Sequence, residues 1–314
     1  MQNPSDSEPI VLNEEPTFPG YSTFQKKKHC CCMMTYYPEI KTYFWGEWEF
    51  QPIMPTFVLL LIISSFIVLV SVILPYFRYE WIIVVPIQIF LLIMFVYSYI
   101  EVIYVGPGYL PFYHMGAQTG TLPENPQDYM ISGYVCPPDG IITSEKQYTW
   151  AHNLPKPSRA TLTHSARRYV IRADHLCGWT TVWIGKRNYK MFMLFNFYGT
   201  PYLGIFTAYC IRYFIKCFDS LDIPPLVTVA IYGILSLSFT LLTFAFSISS
   251  LSLACNNRTN WEDWNTVTDD YDRGSCKQNM EDVCGTPSSI WDYFCPRSPF
   301  TNITNDELVR QYDP

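Results

Sequence analysis

Charged residues are scarce in this sequence, and one long stretch has none. Only 15% of the 314 residues are Asp, Glu, Lys or Arg, and residues 55–77 contain no charge at all. The hydrophobic residues, 49% of the chain, are gathered in blocks rather than spread evenly. Because about 20 consecutive, mostly apolar residues cross a bilayer core, this composition indicates a membrane protein rather than two soluble domains.

No signal-peptide pattern and no regular cysteine spacing are visible in this sequence. The start of the chain is acidic and polar and has no apolar core, so we expect the first membrane-spanning helix to act as the insertion signal. The 11 cysteines are scattered and odd in number. We therefore expect most of them to be free thiols rather than a disulfide framework.

Four segments are long and apolar enough to span the membrane: residues 55–77, 81–104, 191–217 and 224–254. Basic residues are concentrated before the first segment, between the second and third, and after the fourth. Since Lys and Arg accumulate on the cytoplasmic side, both termini and the central loop are predicted to be cytosolic. The predicted fold is an all-α polytopic membrane protein with four transmembrane helices and a cytosolic, mostly irregular domain between helices 2 and 3.

The chain then divides into five regions. They are a partly disordered cytosolic N-terminal segment (1–52), transmembrane helices 1 and 2 (53–104), the cytosolic central domain (105–190), transmembrane helices 3 and 4 (191–254) and a cytosolic tail (255–314).

A basic run and three thiols lie together in the N-terminal segment. Lys26, Lys27 and Lys28 are followed by the thiols Cys30, Cys31 and Cys32. Lysines that hold a segment against anionic headgroups, next to cysteines, are typical of S-acylated segments. A charge cluster with three unmodified cysteines explains the pattern equally well.

An acid, an imidazole and a thiol lie within four residues of the central domain. Asp174, His175 and Cys177 stand shortly before the third apolar segment, among basic residues. A thiol is mostly protonated at neutral pH, but an imidazole held by a carboxylate can take its proton or stabilise its thiolate. Cys177 is thus a candidate for covalent catalysis at a membrane surface. On spacing alone, a chance occurrence of the three residues is an equal alternative.

Six motifs in order resemble those of the DHHC-type protein S-acyltransferases, which are four-span enzymes with a cytosolic domain between helices 2 and 3. Gly106-Pro107-Gly108 resembles the family's Asp-Pro-Gly, Lys156-Pro157-Ser158-Arg159 its Lys-Pro-Pro-Arg, and Asp174-His175-Leu176-Cys177 its Asp-His-His-Cys. The other three motifs are Gly185-Lys186-Arg187-Asn188-Tyr189, Thr259-Asn260-Trp261-Glu262, and Tyr271-Asp272-Arg273-Gly274 with Asn279 and Gly285. The resemblance covers most of residues 53–285.

This resemblance implies a palmitoyltransferase that uses acyl-CoA. Cys177 would attack the thioester of a long-chain acyl-CoA and pass the acyl group to a cysteine of a substrate protein, with His175 as the base and Asp174 fixing its tautomer. Basic residues of the central domain are predicted to bind the CoA phosphates, although such residues are expected at a cytosolic membrane face in any case. They are Arg167, Arg168, Arg172, Lys186 and Arg187.

The resemblance also implies supporting residues. Glu262 is expected to attach the tail to the active-site domain, and Asn279 to anchor it near the third span. Trp179, Asn188 and Thr259 complete the supporting set. The acyl chain is predicted to enter a cavity among the spans, although packing alone would explain its lining residues: Phe195, Tyr198, Tyr202, Ser238 and Phe239.

The departures from the family pattern concern its two zinc sites. Alignment on Lys156 and Asp174 puts the ligand positions on residues that cannot bind zinc as a thiolate or imidazole does: Tyr148, Ala151, Leu162, Thr163, Ala166, Tyr169, Leu176 and Trp183. We therefore predict no metal, and packing of these largely apolar residues in its place. Two smaller departures, Gly178 for Pro and Gly106 for Asp, lie near the predicted site.

The expected partners are the membrane, acyl-CoA and substrate proteins with cysteines near the membrane, and no nucleic acid. The expected location is an endomembrane (Golgi or endoplasmic reticulum) or the plasma membrane, with the active site in the cytosol. Two alternatives stay open: an inactive relative that acts as a membrane scaffold or client-binding protein, and a four-span scaffold of unrelated function.

Overall fold

The computed structural model describes residues 51–120, 140–142, 145–218 and 223–312, together with the backbone of four strands between residues 27 and 49. These strands form an antiparallel sheet in sequence order, although partial disorder is predicted for this region. Aromatic residues, which favour strands, are frequent there. The predicted S-acylation of Cys30, Cys31 and Cys32 concerns residues outside the described ones. The strands are β1 (Lys27–His29), β2 (Met34–Tyr37), β3 (Thr42–Trp45) and β4 (Trp48–Glu49).

Helices dominate the described part of the chain, and four of them are long. The first continues from residue 68 through a π-helical turn and a 3₁₀ turn to Tyr76. In chain order the helices are α1 (Ile53–Val68), α2 (Trp81–Val105), α3 (His114–Thr119), α4 (Glu145–His152), α5 (Tyr189–Cys217), α6 (Ile223–Cys255), α7 (Asn260–Trp264), α8 (Cys276–Cys284), α9 (Trp291–Phe294) and α10 (Asn305–Arg310).

Three of the described helical stretches are long and apolar enough to cross a membrane: Ile53–Tyr76, Trp81–Val105 and Ile223–Cys255. Their bounds agree with three of the predicted segments to within two residues. Helix α5 coincides with the remaining segment and has 29 residues, but Asn, Thr, Tyr and three basic residues lower its hydropathy. Its role as a fourth span stays a prediction.

Helix α5 lies between α2 and α6 and packs against both. Gly199 makes the contact with α2 close, since a Cβ at this position would lie 2.7 Å from the ring of Phe95. The Phe95 ring stacks on Phe195, with 5.0 Å between centroids. A core cluster extends from this contact to the central domain and includes Cys177 and Ile184. The apolar helices and the predicted nucleophile therefore share one core.

The central domain is less irregular than the sequence suggests. Three strands, β5 (Tyr109–Leu110), β6 (Ala160–Thr163) and β7 (Arg168–Ile171), form an antiparallel sheet in the order β5-β7-β6. Two more, β8 (His175–Cys177) and β9 (Val182–Ile184), form a hairpin. These short runs are rich in β-branched and aromatic residues, which suit a pleated, half-buried surface. The all-α prediction is therefore wrong for this domain.

The tail folds back onto the central domain and is held to α6 by a disulfide between Cys255 and Cys276. Most of the described cysteines are free, as predicted, and this pair is the exception. Phe300 and the α10 residues Leu308 and Val309 pack into a core with Leu110, Tyr169 and Ile171. The free cysteines of the described part are Cys177, Cys210, Cys217, Cys284 and Cys295.

Candidate active site

Strand β8 presents His175 and Cys177 on one face, because side chains two residues apart on a strand point the same way. The residue before the strand, Asp174, is 1% exposed and its Oδ2 lies 2.6 Å from His175 Nδ1. Its backbone N–H donates to the carbonyl of Ile184 in β9 at 2.9 Å, which fixes the carboxylate at the base of the hairpin. Since Asp174 occupies Nδ1, Nε2 is the imidazole nitrogen left for Cys177.

Asn260, the first residue of α7, holds Asp174 from the tail. Its backbone N–H donates to Oδ1 at 2.8 Å, and its side-chain amide donates to Oδ2 at 3.1 Å. The carboxylate is therefore oriented from both sides, by the imidazole and by an amide pair. The motif around Asn260 is visible in the sequence, but this contact is not, because 86 residues separate the two partners.

The three groups shift one another's pKa values. Burial opposes the charge on His175, but the hydrogen bond to Asp174 and the contact with Cys177 outweigh it and raise the pKa of His175 to about 9. Burial likewise opposes the Cys177 thiolate, yet hydrogen bonds from His175 and Thr180 lower the pKa of Cys177. Asp174 also has a lowered pKa, because the bonds from His175 and Asn260 outweigh its burial. The arrangement therefore favours a thiolate–imidazolium pair over a neutral thiol and imidazole.

A cavity of about 250 Å³ opens from Cys177 into the helix bundle. His175 stands at its mouth with its ring 5.0 Å from that of Phe192. The walls are apolar faces of the helices: Val58, Leu61, Ile62 and Ser65 from α1, Phe95 from α2, Phe192, Phe195, Asn196, Leu203 and Phe206 from α5, and Tyr232, Leu235, Ser236, Phe239, Leu242, Thr243 and Phe246 from α6.

The predicted lining is correct for two residues and wrong for three. Phe195 and Phe239 line the cavity. Ser238 does not, because it lies on the exposed side of α6. Tyr198 and Tyr202 are buried behind the wall: the Tyr198 hydroxyl donates to the carbonyl of Phe294, and that of Tyr202 donates to the carbonyl of Ile62.

Most of the basic residues predicted to bind CoA phosphates are buried. Arg168 is 3% exposed and lies over the ring of Tyr109 at 3.8 Å, and Arg172 and Lys186 are each 1% exposed. Arg187 donates to the carbonyls of Phe300 and Ile303 in the tail. Arg167 alone among the five is exposed.

One buried carboxylate, that of Asp282 in α8, forms ion pairs with four basic side chains. Its Oδ1 lies 2.8 Å from Lys186 Nζ and 2.7 Å from Arg273 Nη2, and its Oδ2 lies 3.2 Å from Arg172 Nε and 3.4 Å from Arg159 Nη1. Burial opposes its ionisation, but these cations outweigh burial and hold the pKa of Asp282 well below its usual range.

Tyr312, near the end of the chain, completes this network. Its hydroxyl donates to Asp282 Oδ2 and accepts from Lys186 Nζ, both at 2.8 Å. Neither Asp282 nor Tyr312 is predicted as a functional residue from the sequence. Three of the four basic partners of Asp282 lie about 100 residues or more from it, Tyr312 lies 126 residues from Lys186, and no motif marks either residue.

Arg159 connects the same network to the active site. Its guanidinium donates to both carboxylate oxygens of Glu262, at 2.7 and 3.1 Å, and to Asn257 Oδ1 at 2.9 Å. Glu262 also forms a capping box with Thr259 at the start of α7. The pair therefore holds in place the helix whose first residue orients Asp174.

Asn188 and Asn279 tie backbone segments together. The Asn188 amide donates to the carbonyls of Val102 and Trp183, at 3.1 and 2.9 Å, and its oxygen accepts from the N–H of Gly185. Asn279, expected near the third span, instead donates to the carbonyl of Cys255 at the end of α6. The helix that Asn279 anchors to is therefore the fourth long one, to which the disulfide between Cys255 and Cys276 also joins α8.

The positions aligned with the family's zinc ligands lie in two groups, and neither group presents a set of side chains that binds zinc. In the first, Leu162 pairs with Tyr169 across β6 and β7, and the Tyr169 hydroxyl donates to the carbonyl of Ala151 at 3.0 Å. Tyr148 packs beside them and stacks on the ring of His164 at 3.6 Å.

In the second group, Leu176 and Trp183 are paired across the β8–β9 hairpin. The Trp183 indole donates to Ser165 Oγ at 3.0 Å and its ring contacts that of Trp261. Within the described part of the chain no cluster of three or more His, Cys, Asp or Glu side chains is placed to hold a metal ion. The donors present at these positions therefore do not fit zinc.

Trp179 and Thr180 lie in the turn of this hairpin. The carbonyl of Trp179 accepts from the hydroxyl of Tyr99 in α2 at 2.7 Å, and its ring contacts Phe239. Thr180 is fully buried, and no sequence motif marks it as a site residue.

Comparison with known proteins identifies proteins of similar sequence. The sequence model of the family described as DHHC palmitoyltransferase matches residues 142–267. The probable protein S-acyltransferase 14 of Arabidopsis thaliana is 29% identical over 210 residues, which are 64% of this chain and 68% of the relative. Palmitoyltransferase ZDHHC3-A of Danio rerio is 26% identical over 160 residues, 48% of each chain. Palmitoyltransferase ZDHHC2 of the same organism is 30% identical over 150 residues, 44% of this chain and 40% of the relative.

Proposed function

Because the chain is an acyltransferase with a DHHC palmitoyltransferase domain over residues 142–267, we propose that it transfers a long-chain acyl group from acyl-CoA to cysteine thiols of proteins. The intermediate is a thioester on Cys177. The observation that carries the proposal is the hydrogen bond between Asp174 and His175 on the strand that ends at Cys177, at the mouth of an apolar cavity.

In the first step, the Cys177 thiolate attacks the acyl-CoA carbonyl carbon. A bond forms between Sγ and the acyl carbon, the bond to the CoA sulfur breaks, and the His175 imidazolium gives its proton to the leaving thiolate. The raised pKa of His175 and the lowered pKa of Cys177 favour this starting state. In the first attack His175 therefore acts as the acid, because it already carries the proton.

In the second step, neutral His175 removes the proton of an incoming protein thiol. That thiolate attacks the acyl-enzyme, and Cys177 leaves as a thiolate beside the imidazolium. The starting pair is thereby regenerated. Asp174 stabilises the imidazolium throughout, and Asn260 keeps the carboxylate in position.

The cavity suits the acyl chain. Its walls along α5 run from Phe192 to Phe206, a rise of roughly 21 Å at 1.5 Å per residue. Burial is worth ~0.8 kcal/mol per methylene, so a long chain gains much from entering. CoA itself stays outside, where exposed Arg167 and Lys156 are available to its phosphates. In this proposal Arg168, Arg172, Lys186 and Arg187 act mainly in the structure of the domain.

The proposed arrangement in the membrane has four spans, with α5 as the third, and both termini and the active site in the cytosol. It rests on the distribution of Lys and Arg and on the position of α5 between two of the apolar helices. The chain is an integral membrane protein, and an endomembrane or the plasma membrane is the proposed location.

We also propose that the domain works without zinc. Cross-strand pairs and ring stacking at the former ligand positions, with the ion network around Asp282, then supply the stabilisation that metal binding otherwise gives.

Labelling with a clickable long-chain acyl-CoA tests the function. The purified full chain in detergent should take up label that hydroxylamine removes. Cys177→Ala should abolish it, whereas Cys295→Ala, which removes an exposed free thiol, should retain it. A folded protein that takes no label would favour an inactive scaffold. Label that persists in Cys177→Ala would move the acylated residues elsewhere, for example to Cys30, Cys31 and Cys32.

A further inference from the structure

One polar side chain, the amide of Asn196, lies in the wall of the apolar cavity. Asn196 belongs to α5 and is 2% exposed, and it is the one side-chain amide among the described residues that line the cavity. The lining residues beside it on α5 include Phe192, Phe195 and Leu203. An apolar side chain would continue this face without placing a polar group in it, so packing alone does not explain the amide.

Only one end of this amide is paired within the protein. Its nitrogen, Nδ2, donates to the backbone carbonyl of Phe192 at 2.8 Å. The nearby Thr200 hydroxyl donates to the backbone carbonyl of Asn196 at 2.9 Å, and no described residue donates to the side-chain oxygen, Oδ1. Oδ1 is not enclosed by packing, and the cavity is the space onto which it opens. Because an unpaired polar atom in apolar surroundings costs free energy, Oδ1 suits a ligand that brings a hydrogen-bond donor.

The depth of this oxygen in the cavity follows from the helix. Asn196 lies one turn, roughly 6 Å, beyond Phe192, whose ring contacts that of His175 at the mouth. Side chains of a helix tilt towards its N-terminus, and the bond to the Phe192 carbonyl holds this amide in that direction. The amide therefore lies beside the first carbons of an acyl chain that enters from Cys177, and not beside its methyl end.

The hydroxyl groups of the cavity wall are paired within the protein. Each of them donates to a backbone carbonyl or to another hydroxyl, so none needs a ligand for its proton. The unpaired acceptor is thus the oxygen of Asn196, close to the mouth. The four residues with paired hydroxyls are Ser65, Ser236, Thr243 and Tyr232.

We propose that Asn196 is a specificity-determining residue and that the cavity accepts 3-hydroxyacyl chains as well as unsubstituted ones. The hydroxyl on the third acyl carbon donates to Asn196 Oδ1 while the thioester carbon lies at Cys177. The transfer itself is unchanged: the bond from the acyl carbon to the CoA sulfur breaks, the bond to Cys177 Sγ forms, and the hydroxyl takes no part. The inference deepens the proposed function and rests on it for the identity of the acyl donor.

A competition experiment tests the proposal within a single reaction. The full chain in detergent is incubated briefly with equal amounts of palmitoyl-CoA and 3-hydroxypalmitoyl-CoA. The two adducts on the Cys177 peptide differ by one oxygen atom and are quantified by mass spectrometry. Asn196→Leu should lower the ratio of hydroxyacyl to acyl adduct about 3- to 10-fold, the size expected for one uncharged hydrogen bond. Because both adducts form in the same mixture, a change in overall rate cancels.

Two controls separate this hydrogen bond from the general polarity of the cavity. With ω-hydroxypalmitoyl-CoA as the competitor, Asn196→Leu should give the wild-type ratio, because the hydroxyl then lies at the other end of the chain. Thr200→Val removes a hydroxyl that bonds the backbone of Asn196 and should leave the 3-hydroxyacyl ratio unchanged. Should Asn196→Leu fail to fold, Asn196→Ala removes the same acceptor and carries the same expectation.

A wild-type adduct ratio in Asn196→Leu or Asn196→Ala would overturn the proposal, and so would an equal fall for the 3-hydroxyl and ω-hydroxyl chains. Failure of the proposed function would look different, since neither thioester would form an adduct. Displacement of radiolabelled palmitic acid from the full chain by 3-hydroxypalmitic acid and by unlabelled palmitic acid then decides. An affinity ratio that Asn196→Leu lowers would support the proposal, and an unchanged ratio would overturn it.

Discussion

Replacement of Arg159 by Met would remove the contact that joins the tail to the active-site domain. The guanidinium makes a bidentate bond to Glu262, bonds Asn257 and lies near Asp282. Its side chain is almost fully buried, as is that of Glu262. Met fills a similar volume but leaves Glu262 without a cation.

The expected loss of folding stability follows from the contacts that remain in the variant. Asp282 keeps Lys186, Arg172 and Arg273, but Glu262 keeps only the backbone N–H of Thr259, at 2.9 Å. Breaking one partner of a buried ion pair costs about 3–5 kcal/mol, and the midpoint of thermal unfolding should fall by on the order of 10 °C. Because Glu262 positions α7 and hence Asn260, acyl-enzyme formation should also slow.

The chain offers a matched control for this measurement. Arg167 has the same side chain and nearly the same backbone conformation, with φ +53° against +49° for Arg159, but is exposed. Arg167→Met should change the unfolding midpoint by little more than the error. In a double-mutant cycle, Arg159→Met with Glu262→Met should cost clearly less than the sum of the single changes. If Arg159→Met lowered the free energy of unfolding by less than about 1 kcal/mol, the reasoning would be refuted.

Three further predictions concern the cavity, the ionisation of the site and the metal. Ser236→Leu fills the far end of the cavity and should shift the preferred acyl-CoA to one shorter by about two methylenes. The preference for the shorter chain should change roughly tenfold, at ~0.8 kcal/mol per methylene. Ser238→Leu, on the exposed side of the same helix, should leave the preference unchanged, and equal effects of the two substitutions in a competition assay would contradict the cavity assignment. Because the pKa of Cys177 is lowered and that of His175 is raised to about 9, more thiolate is present below the ordinary thiol pKa than in a free thiol, so the rate of acyl-enzyme formation should rise less steeply with pH in the wild type than in His175→Ala. His175→Ala should also slow the reaction about 10²- to 10⁴-fold. Equal pH slopes in the two proteins would count against the ion pair. Elemental analysis should find well below one zinc per chain, and a chelator should leave the unfolding midpoint unchanged; stoichiometric zinc would show the metal-free scaffold to be wrong.

The parts of the fold that follow from local pattern could be predicted from the sequence. Residues 55–77 lack charge, so the first long helix was predictable from the cost of placing polar groups in a bilayer. His175 and Cys177 alternate on one strand with Leu176 on the other face, so their contact is a local property as well.

The parts that depend on distant contacts could not be predicted. The four basic residues around Asp282 are typical of a cytosolic membrane face, and nothing in the sequence distinguishes them from phosphate ligands. Their burial depends on the tail folding back, which brings together residues separated by about 100 positions or more in most cases. The strands of the central domain were missed for a related reason, since β5 pairs with β7 across about 60 residues of sequence and the individual strands are only two to four residues long.

Intact-protein mass spectrometry after brief incubation with palmitoyl-CoA tests the central claim most directly. The account predicts one added palmitoyl group, mapped to the peptide that contains Cys177, removed by hydroxylamine and transferred when a cysteine-containing acceptor protein is added. A folded wild-type protein that stays unmodified, or an adduct that maps to any other cysteine and survives in Cys177→Ala, would contradict it.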